Sequence, residues 1–448
     1  MVRQLTLPFE DRGEASNVER SVEASLANQK TENLGASDLM EQVVELSNLR
    51  IAMMRVCKNK GSPGIDGMTV EELPGYFDIR REEIRQQLLA GTYQPQSIKR
   101  REIPKNGGGM RELGIPTVFD RLIQQALLQV LQPLFDPTFS DHSHGFRPGR
   151  CAQDAVLKAR AFFQEGRRWV VDVDLEKFFD RVNHDILMER LARRISDRRM
   201  LRIIRRYLEA GVMLNGVVIE RFEGTPQGGP LSPLLANVLL DDVDKTLERG
   251  GHAFVRYADD CNVYVRSRRA GERVMSGLRK VYQGLRLRIN EGKSAVARAE
   301  TRKFLGYSFW YGPKGTVKCR VADKARKEMK DRIRVITRRT RGRSMDEIVE
   351  NLRSFLIGWK NYFRLAETPK VFDEFDQWIR HRLRALHLKH WRRGATMFRK
   401  LRKLGASEDL AARIAAHGRH WWHTSWKYLH IVLTTRYFDK MGVPRLAT

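Results

Sequence analysis

Apolar residues first fall into a repeating pattern near Leu39, where "LMEQVVELSNLRIAMMRVCKN" places them at helical spacing. The stretch before it is polar, rich in Glu, Ser, Asn and Ala, and weakly patterned, which predicts a mobile extension over 1–37. "KGSPGIDGMTVEEL" follows as a Gly/Pro loop and a helix start, whose acids suit the positive end of the helix dipole. "SIKRREIPKNGGGMRELGIPTV" reads as two strands joined by a Gly-rich turn, with Lys105 and Arg111 at its tip and flank. "DRLIQQALLQVLQPLF" is strongly amphipathic, with Leu122, Ala126, Leu127, Val130, Leu131 and Leu134 on one helical face. "WVVDVDL", Trp169 to Leu175, is a short apolar strand, and "EKFFDRVNHDILMERLARRI" after it reads as helix. "FVRYADDCNVYV", Phe254 to Val265, is strand, turn and strand, with Asp259 and Asp260 side by side at the turn. That order predicts an α+β domain built on an antiparallel sheet.

Past Tyr311 the pattern changes. Between Lys324 and Arg343 basic residues crowd a helical repeat, and helices continue through "SMDEIVENLRSFLIGWKNYF" and "FDEFDQWIRHRLRALHLKHWRR". The Gly/Pro-containing "YGPKGT" suggests a domain boundary near 312–322. The last fifty residues mix His, Trp and Arg ("HGRHWWHTSWKYLH") with no evident period.

Composition narrows the partner. Lys plus Arg number 82 against 54 Asp plus Glu, a formal charge of +28, while 42% of residues are hydrophobic. The chain should therefore fold, and a folded chain so basic calls for a polyanion, nucleic acid first. No apolar run approaches the ~18 residues that cross a bilayer, and the N-terminus lacks the apolar core of a signal peptide. Cys57, Cys151, Cys261 and Cys319 are far apart and form no paired-cysteine zinc motif. A cytoplasmic protein without a membrane partner is the simplest expectation.

Three acids then stand out: Asp174 at the end of one strand, and Asp259 and Asp260 at the turn of the hairpin. Close carboxylates cannot all ionise cheaply. Divalent cations remove that objection, because Mg²⁺ prefers oxygen ligands and is held by one or two carboxylates with substrate phosphates. Two such ions can activate an attacking oxygen and stabilise a leaving one. Asp174 as a simple helix cap, and Asp259–Asp260 as a surface turn, are the alternatives.

The ordered motifs resemble bacterial group II intron-encoded reverse transcriptases/maturases, from about Leu49 to Leu386 and more weakly beyond. "PGIDGMTVEEL", "YQPQSIKRREIPKNGGGMRELGIPTVFDRLIQQAL" and "HGFRPGRCAQDAV" resemble the family's early blocks. "VVDVDLEKFFDRVNHDIL" is similar to the palm strand with its first catalytic Asp, and "GTPQGGPLSPLLANVLLDDVD" to the block that contacts template and nucleotide. "RYADD" resembles the catalytic hairpin, "LRLRINEGKS" the next palm block, "FLGYSF" the approach to the thumb, and "RSFLIGWKNYF" the maturase thumb, domain X. One such motif is weak evidence; the set in family order is specific.

The resemblance implies a right-hand polymerase: fingers and palm over 38–311, an α-helical thumb/maturase domain over 323–394, and a short basic segment over 395–448 that could bind DNA and lacks an endonuclease. It implies two Mg²⁺ ions held by Asp174, Asp259, Asp260 and the Leu175 carbonyl, with Asp260 the more peripheral. Asp172 lies on the same strand face as Asp174, one pleat back. Asp174 is preferred because Phe179 then falls where the family has an aromatic beneath the incoming sugar, which favours dNTPs. Lys105 and Arg111 correspond to triphosphate-gripping residues, Gln227 positions nucleotide or template, and Lys293 is a candidate general acid toward pyrophosphate. Tyr257 and Ala258 are expected beside the primer end. Arg326, Lys327, Lys330, Arg334, Arg338 and Lys360 are expected to track a nucleic-acid backbone. The implied partners are intron RNA as template and splicing partner, a DNA primer or target, and dNTPs. The rival readings are a reverse transcriptase recruited to another task (retron, defence or repair) and an RNA-binding splicing factor without polymerase activity. His417, His420, His423 and His430 lack the paired Cys or acids of a second metal site.

Overall fold

The computed structural model describes residues 38–104, 110–214, 217–219, 223–225, 228–339 and 342–447. It divides into two compact units between Leu305 and Gly306. Among the described residues no helix is long and apolar enough to cross a membrane.

The first unit runs α1 (Leu39–Val44), α2 (Leu46–Lys58), α3 (Leu73–Leu89), β1 (Ile98–Pro104), β2 (Met110–Ile115), α4 (Val118–Phe135), α5 (Ala152–Gln164) and β3 (Trp169–Val173). It continues with α6 (His184–Ala192), α7 (Arg198–Glu209), β4 (Val212–Leu214), β5 (Val217–Ile219), α8 (Ser232–Arg249), β6 (Ala253–Tyr257), β7 (Asp260–Val265), α9 (Arg268–Gly284), β8 (Ala295–Arg298) and β9 (Lys303–Phe304). The amphipathic stripe foreseen on α4 is its core face: Leu122, Ala126, Leu127 and Leu131 are fully buried, and Val130 and Leu134 pack at the edge. The helix starts where the Thr117 hydroxyl accepts the Asp120 amide at 3.1 Å. The buried Asp120 carboxylate in turn accepts from Tyr93 (2.9 Å), Tyr207 (3.1 Å) and the Gln96 amide (3.1 Å), tying α4 to α7 and to the chain entering β1.

Two four-stranded sheets form. One has the order β2-β1-β4-β5, with β1 and β2 antiparallel and β1 and β4 parallel. The other, β6-β7-β3-β8, is antiparallel throughout. Its register pairs Val171 with Val263 and with Val296, so Val171, Val263 and Val296 share one face. Helix α9 lies on that face; a side chain at its Gly271 would run into Val296 and touch Val171 and Val265. Asp172 and Asn262 point to the other face. One side of the sheet is therefore sealed, and the polar side is where the acids collect.

Two expectations change in this unit and its border. The stretch after β3 is not one helix: Lys177 adopts φ +43, a single tight turn covers Phe178–Asp180, and α6 begins only at His184, capped by the Asn183 side chain. "YGPKGT" is not a linker but the turn of a hairpin in the second unit, with Lys314 at φ +61 and Gly315 at φ +73. Gly and Pro mark both kinds of break, so the sequence could not separate them.

The second unit contains β10 (Tyr307–Tyr311), β11 (Val317–Val321), α10 (Asp323–Ile336), α11 (Met345–Tyr362), α12 (Pro369–Trp391), α13 (Gly394–Lys403), α14 (Glu408–Ala416), α15 (Trp421–Lys427), α16 (Leu429–Val432) and α17 (Thr435–Lys440). Met329, Ile333 and Ile336 of α10 join Leu352, Leu356, Phe375, Ile379 and Leu383 in one core. The tail without a visible period is folded into the same core: Leu429, Leu433, Phe438, Val443 and Leu446 are buried, and Asp376 accepts the Leu446 amide at 2.9 Å. Its helices are too short to show a repeat.

His387 is sunk in this core with Nε2 unpartnered, beside the rings of Trp391 and Tyr437. Burial drives its pKa down to about 4. The unfolded imidazole protonates near pH 6.5 and the native one does not, so this contribution is present at pH 7 and is lost as pH falls from about 6.5 toward 4. We expect wild-type stability to drop by about 3 kcal/mol across that window through this group. A His387→Leu variant should show a correspondingly flatter dependence in urea melts at pH 7 and 4.5.

Candidate active site

The β6–β7 hairpin closes tightly. Tyr257 pairs with Asp260, leaving Ala258 and Asp259 as a two-residue loop. Such loops use primed turns with positive φ, and Ala258 sits at φ +57. For alanine this costs about 1–2 kcal/mol, so something must hold it. Arg256, wholly buried, donates from Nη1 to the Ala258 carbonyl at 2.8 Å and to Asn237 Oδ1 at 3.0 Å. Its Nε and Nη2 grip the equally buried Asp244 at 2.7 and 2.5 Å. Asn237 passes the contact on, donating to the Gly145 carbonyl at 2.9 Å. The Arg256 backbone exchanges 2.9 Å bonds with His142 and His144.

Gly145 is required by close approach. A Cβ there would overlap the Ala258 amide nitrogen and stand 2.9 Å from the Tyr257 carbonyl carbon. Gly145→Ala is therefore expected to displace the turn, costing about 1–3 kcal/mol of stability and depressing turnover more than substrate affinity. Thermal melts and a kcat-against-KM comparison check this. Next to it Phe146 is 44% exposed at φ +60, a strained aromatic that sequence reading did not single out.

The carboxylates meet on the open face. Val173 pairs with Cys261, so one further step along both strands sets Asp174 opposite Asp260. Asp172 lies on the same face, but its oxygens are occupied: Arg302 contacts Oδ2 at 2.5–2.7 Å, and the Asn262 amide, turned to satisfy both groups, donates to Oδ1 at 3.0 Å. Asp174 differs. Its Oδ2 is shielded from solvent without a hydrogen-bond partner, and Lys293 Nζ stands 3.5 Å from it. Burial first, then the charges of Asp172, Asp259 and Asp174, push Asp260 up to about 8.

These features fit a divalent cation. The donors are hard oxygens, one buried oxygen has no hydrogen-bond partner, and the mutual repulsion is of the kind a cation relieves. Among the described residues no group of three or more His, Cys, Asp or Glu side chains closes into an ion-holding cluster. An Mg²⁺-type site does not need one, because one or two carboxylates and substrate phosphates suffice. Leu175 is buried, and its strand bridge to Ile289 is closed by bonds at Asp174 and Glu176 on either side. The Leu175 carbonyl is thus not used in that bridge.

Around this centre the structure separates Phe178, which is core, from Phe179, which is partly exposed and packs edge-on against it at 5.1 Å. The Thr225 amide donates to the Phe179 carbonyl at 2.7 Å and Gly224 packs on Asp180, so Gly224 and Thr225 are docked on this turn. Lys105 and Gln227 lie outside the described residues. Arg111 is placed only by its backbone, paired with Ile103 in the β1–β2 hairpin.

Two family models match the chain: reverse transcriptase (RNA-dependent DNA polymerase) over residues 103–309, and the group II intron maturase-specific domain over residues 326–405. Protein YkfC of Escherichia coli (strain K12) is 32% identical over 53% of this chain and 73% of its own length. The chain belongs to the group II intron reverse transcriptase/maturase family. Group II intron-encoded protein LtrA of Lactococcus lactis subsp. cremoris is 39% identical over 44% of this chain, a match that spans 32% of LtrA.

In the unit that the maturase-specific model matches, the expected basic residues lie on α10, beyond its C-terminus and on α11. Arg326, Lys330 and Arg334 recur every four residues on α10; Lys330 lies over Phe375 at 5.6 Å and Arg334 over Trp378 at 5.7 Å. Lys327 is exposed one residue around the helix, and Arg338 lies beyond its C-terminus. Lys360, on α11, donates to the Arg445 carbonyl at 3.1 Å instead of joining that row. Arg326 and Arg334 also pair with Asp323 and Asp331, exposed ion pairs worth little each. His417 and His430 contact the carbonyls one helical turn earlier, Arg413 and Trp426, through Nδ1.

Proposed function

We propose that this chain extends a DNA primer on an RNA template with dNTPs, using two Mg²⁺ ions, and that it binds its intron RNA to assist splicing. The observation that carries the polymerase half is the shared sheet face on which Asp174, whose Oδ2 has no hydrogen-bond partner, faces Asp260 across the strand pair. Asp174, Asp259 and Asp260, with the Leu175 carbonyl, would hold the ions. When bound, these supply activation of the primer 3′ oxygen and neutralisation of the leaving pyrophosphate.

The chain's own groups do the rest. The Arg256 clamp fixes Ala258, and with it the angle at which Asp259 and Asp260 are presented. Phe179 offers a ring edge that excludes a 2′-hydroxyl beneath the sugar. Lys105 and Arg111 would hold the triphosphate, and Gln227 would position the nucleotide or the template. Lys293, exposed and near Asp174, supplies positive charge for the departing pyrophosphate.

The maturase-specific match supports the splicing half, and the Arg326, Lys330 and Arg334 row supports backbone contact with RNA. The test is sequencing of RNA recovered with the purified protein, followed by a splicing assay. One dominant intron RNA is expected, and the Asp259→Ala/Asp260→Ala variant should still promote its splicing. Recovery of random RNA without any splicing effect would remove that half of the proposal.

A further inference from the structure

The aromatic residues of "HGRHWWHTSWKYLH" have no part in the chemistry above; Trp421 and Tyr428 pack against the second unit's core, but Trp422 and Trp426 do not. On α15 Trp422 and Trp426 are four residues apart on one face and are 39% and 60% exposed. They are supported from beneath. The His381 ring of α12 lies 3.7 Å from the Trp422 ring centroid and 5.5 Å from that of Trp426, and its Nε2 is 3.0 Å from the Trp422 carbonyl oxygen. Burial lowers the His381 pKa, so the support is a neutral ring.

Cations run alongside. The Arg339 guanidinium sits 3.8 Å from the Trp421 ring centroid, and its Nε is shielded without a hydrogen-bond partner. Trp378 is flanked by Arg334 at 5.7 Å and Arg382 at 5.3 Å, and Arg382 Nε is fixed by a 2.7 Å bond to Thr337. Arg419 and Lys427 are exposed beside the tryptophans in sequence.

Scattered exposed apolar residues are ordinary, but two supported indole rings are not scattered when the Trp422 ring lies 5.5 Å from that of Trp421, on which Arg339 is stacked. A protein-binding patch of this kind would be depleted of charge at its centre. Flat rings with interleaved cations match unpaired bases and the phosphates between them. We propose that Trp422 and Trp426, with Arg339, form a stacking platform for unpaired bases of a single-stranded nucleic acid.

The test uses the full chain and a 20-nucleotide single strand carrying one 5-iodouracil, made as DNA and as RNA. Ultraviolet crosslinking with peptide mapping should place the attachment at Trp422 or Trp426, and the arm that crosslinks identifies the polymer. In anisotropy titrations Trp422→Ala/Trp426→Ala should weaken binding about tenfold or more, since each stacked base is worth ~1–3 kcal/mol. Trp422→Phe/Trp426→Phe should restore most of it, with melting curves unchanged in both. The proposal is overturned if wild-type protein binds neither strand, if crosslinks fall only elsewhere with affinity unchanged, or if the alanine variant instead changes the sedimentation of the free protein, which would make the face a protein interface.

Discussion

Replacing Asp259 and Asp260 together with alanine is expected to cut RNA-templated primer extension by about 10³-fold or more. Metal-held charge stabilisation in such a transition state is worth several kcal/mol, and each ~1.4 kcal/mol is tenfold in rate. The same change should leave the metal-free protein as stable as before, or more so. Asp260 is pressed against Asp172, Asp174 and Asp259, and its charged form is disfavoured enough to raise its pKa to about 8. Carboxylates kept for folding would behave in the opposite way. Extension rates and thermal melts measured on the same preparations separate the two: loss of both activity and stability would mark these residues as structural.

The second large effect concerns Arg256 and Asp244. Arg256→Met alone should destabilise by about 3–5 kcal/mol, because it leaves the fully buried Asp244 carboxylate unpaired. Asp244→Leu alone should cost a similar amount by stranding the guanidinium. The double variant Arg256→Met/Asp244→Leu should regain most of the stability, since apolar pairs can replace buried ion pairs. It cannot regain the bond from Arg256 to the Ala258 carbonyl. We therefore expect kcat to stay depressed in the double variant while KM for dNTP changes little. Urea melts and steady-state kinetics give both readings, and full recovery of kcat would show that Arg256 serves the fold and not the turn.

The hairpin and its two aspartates were legible because strand alternation and a two-acid turn are local signals. Asp174 against Asp172 was not settled by alternation, since both face the same way. What distinguishes them is Arg302, 130 positions from Asp172, and Asn262 on the neighbouring strand. Contacts that distant leave no periodic trace. The Arg256–Asp244 clamp did leave one: a cation inside the apolar strand "FVRYA" and acids inside the apolar helix "LLANVLLDDVD" each demand a partner when buried. Lys177 at φ +43 gave no warning, because no residue type there requires it.

The most direct test of the account is incorporation of labelled dNTPs by the wild-type chain on a DNA primer annealed to an RNA template, with Mg²⁺ titrated from zero. The account predicts template-directed extension that depends on the cation and is missing from Asp259→Ala/Asp260→Ala. Extension of equal rate by that variant, or no templated extension by a folded wild-type protein, would contradict it.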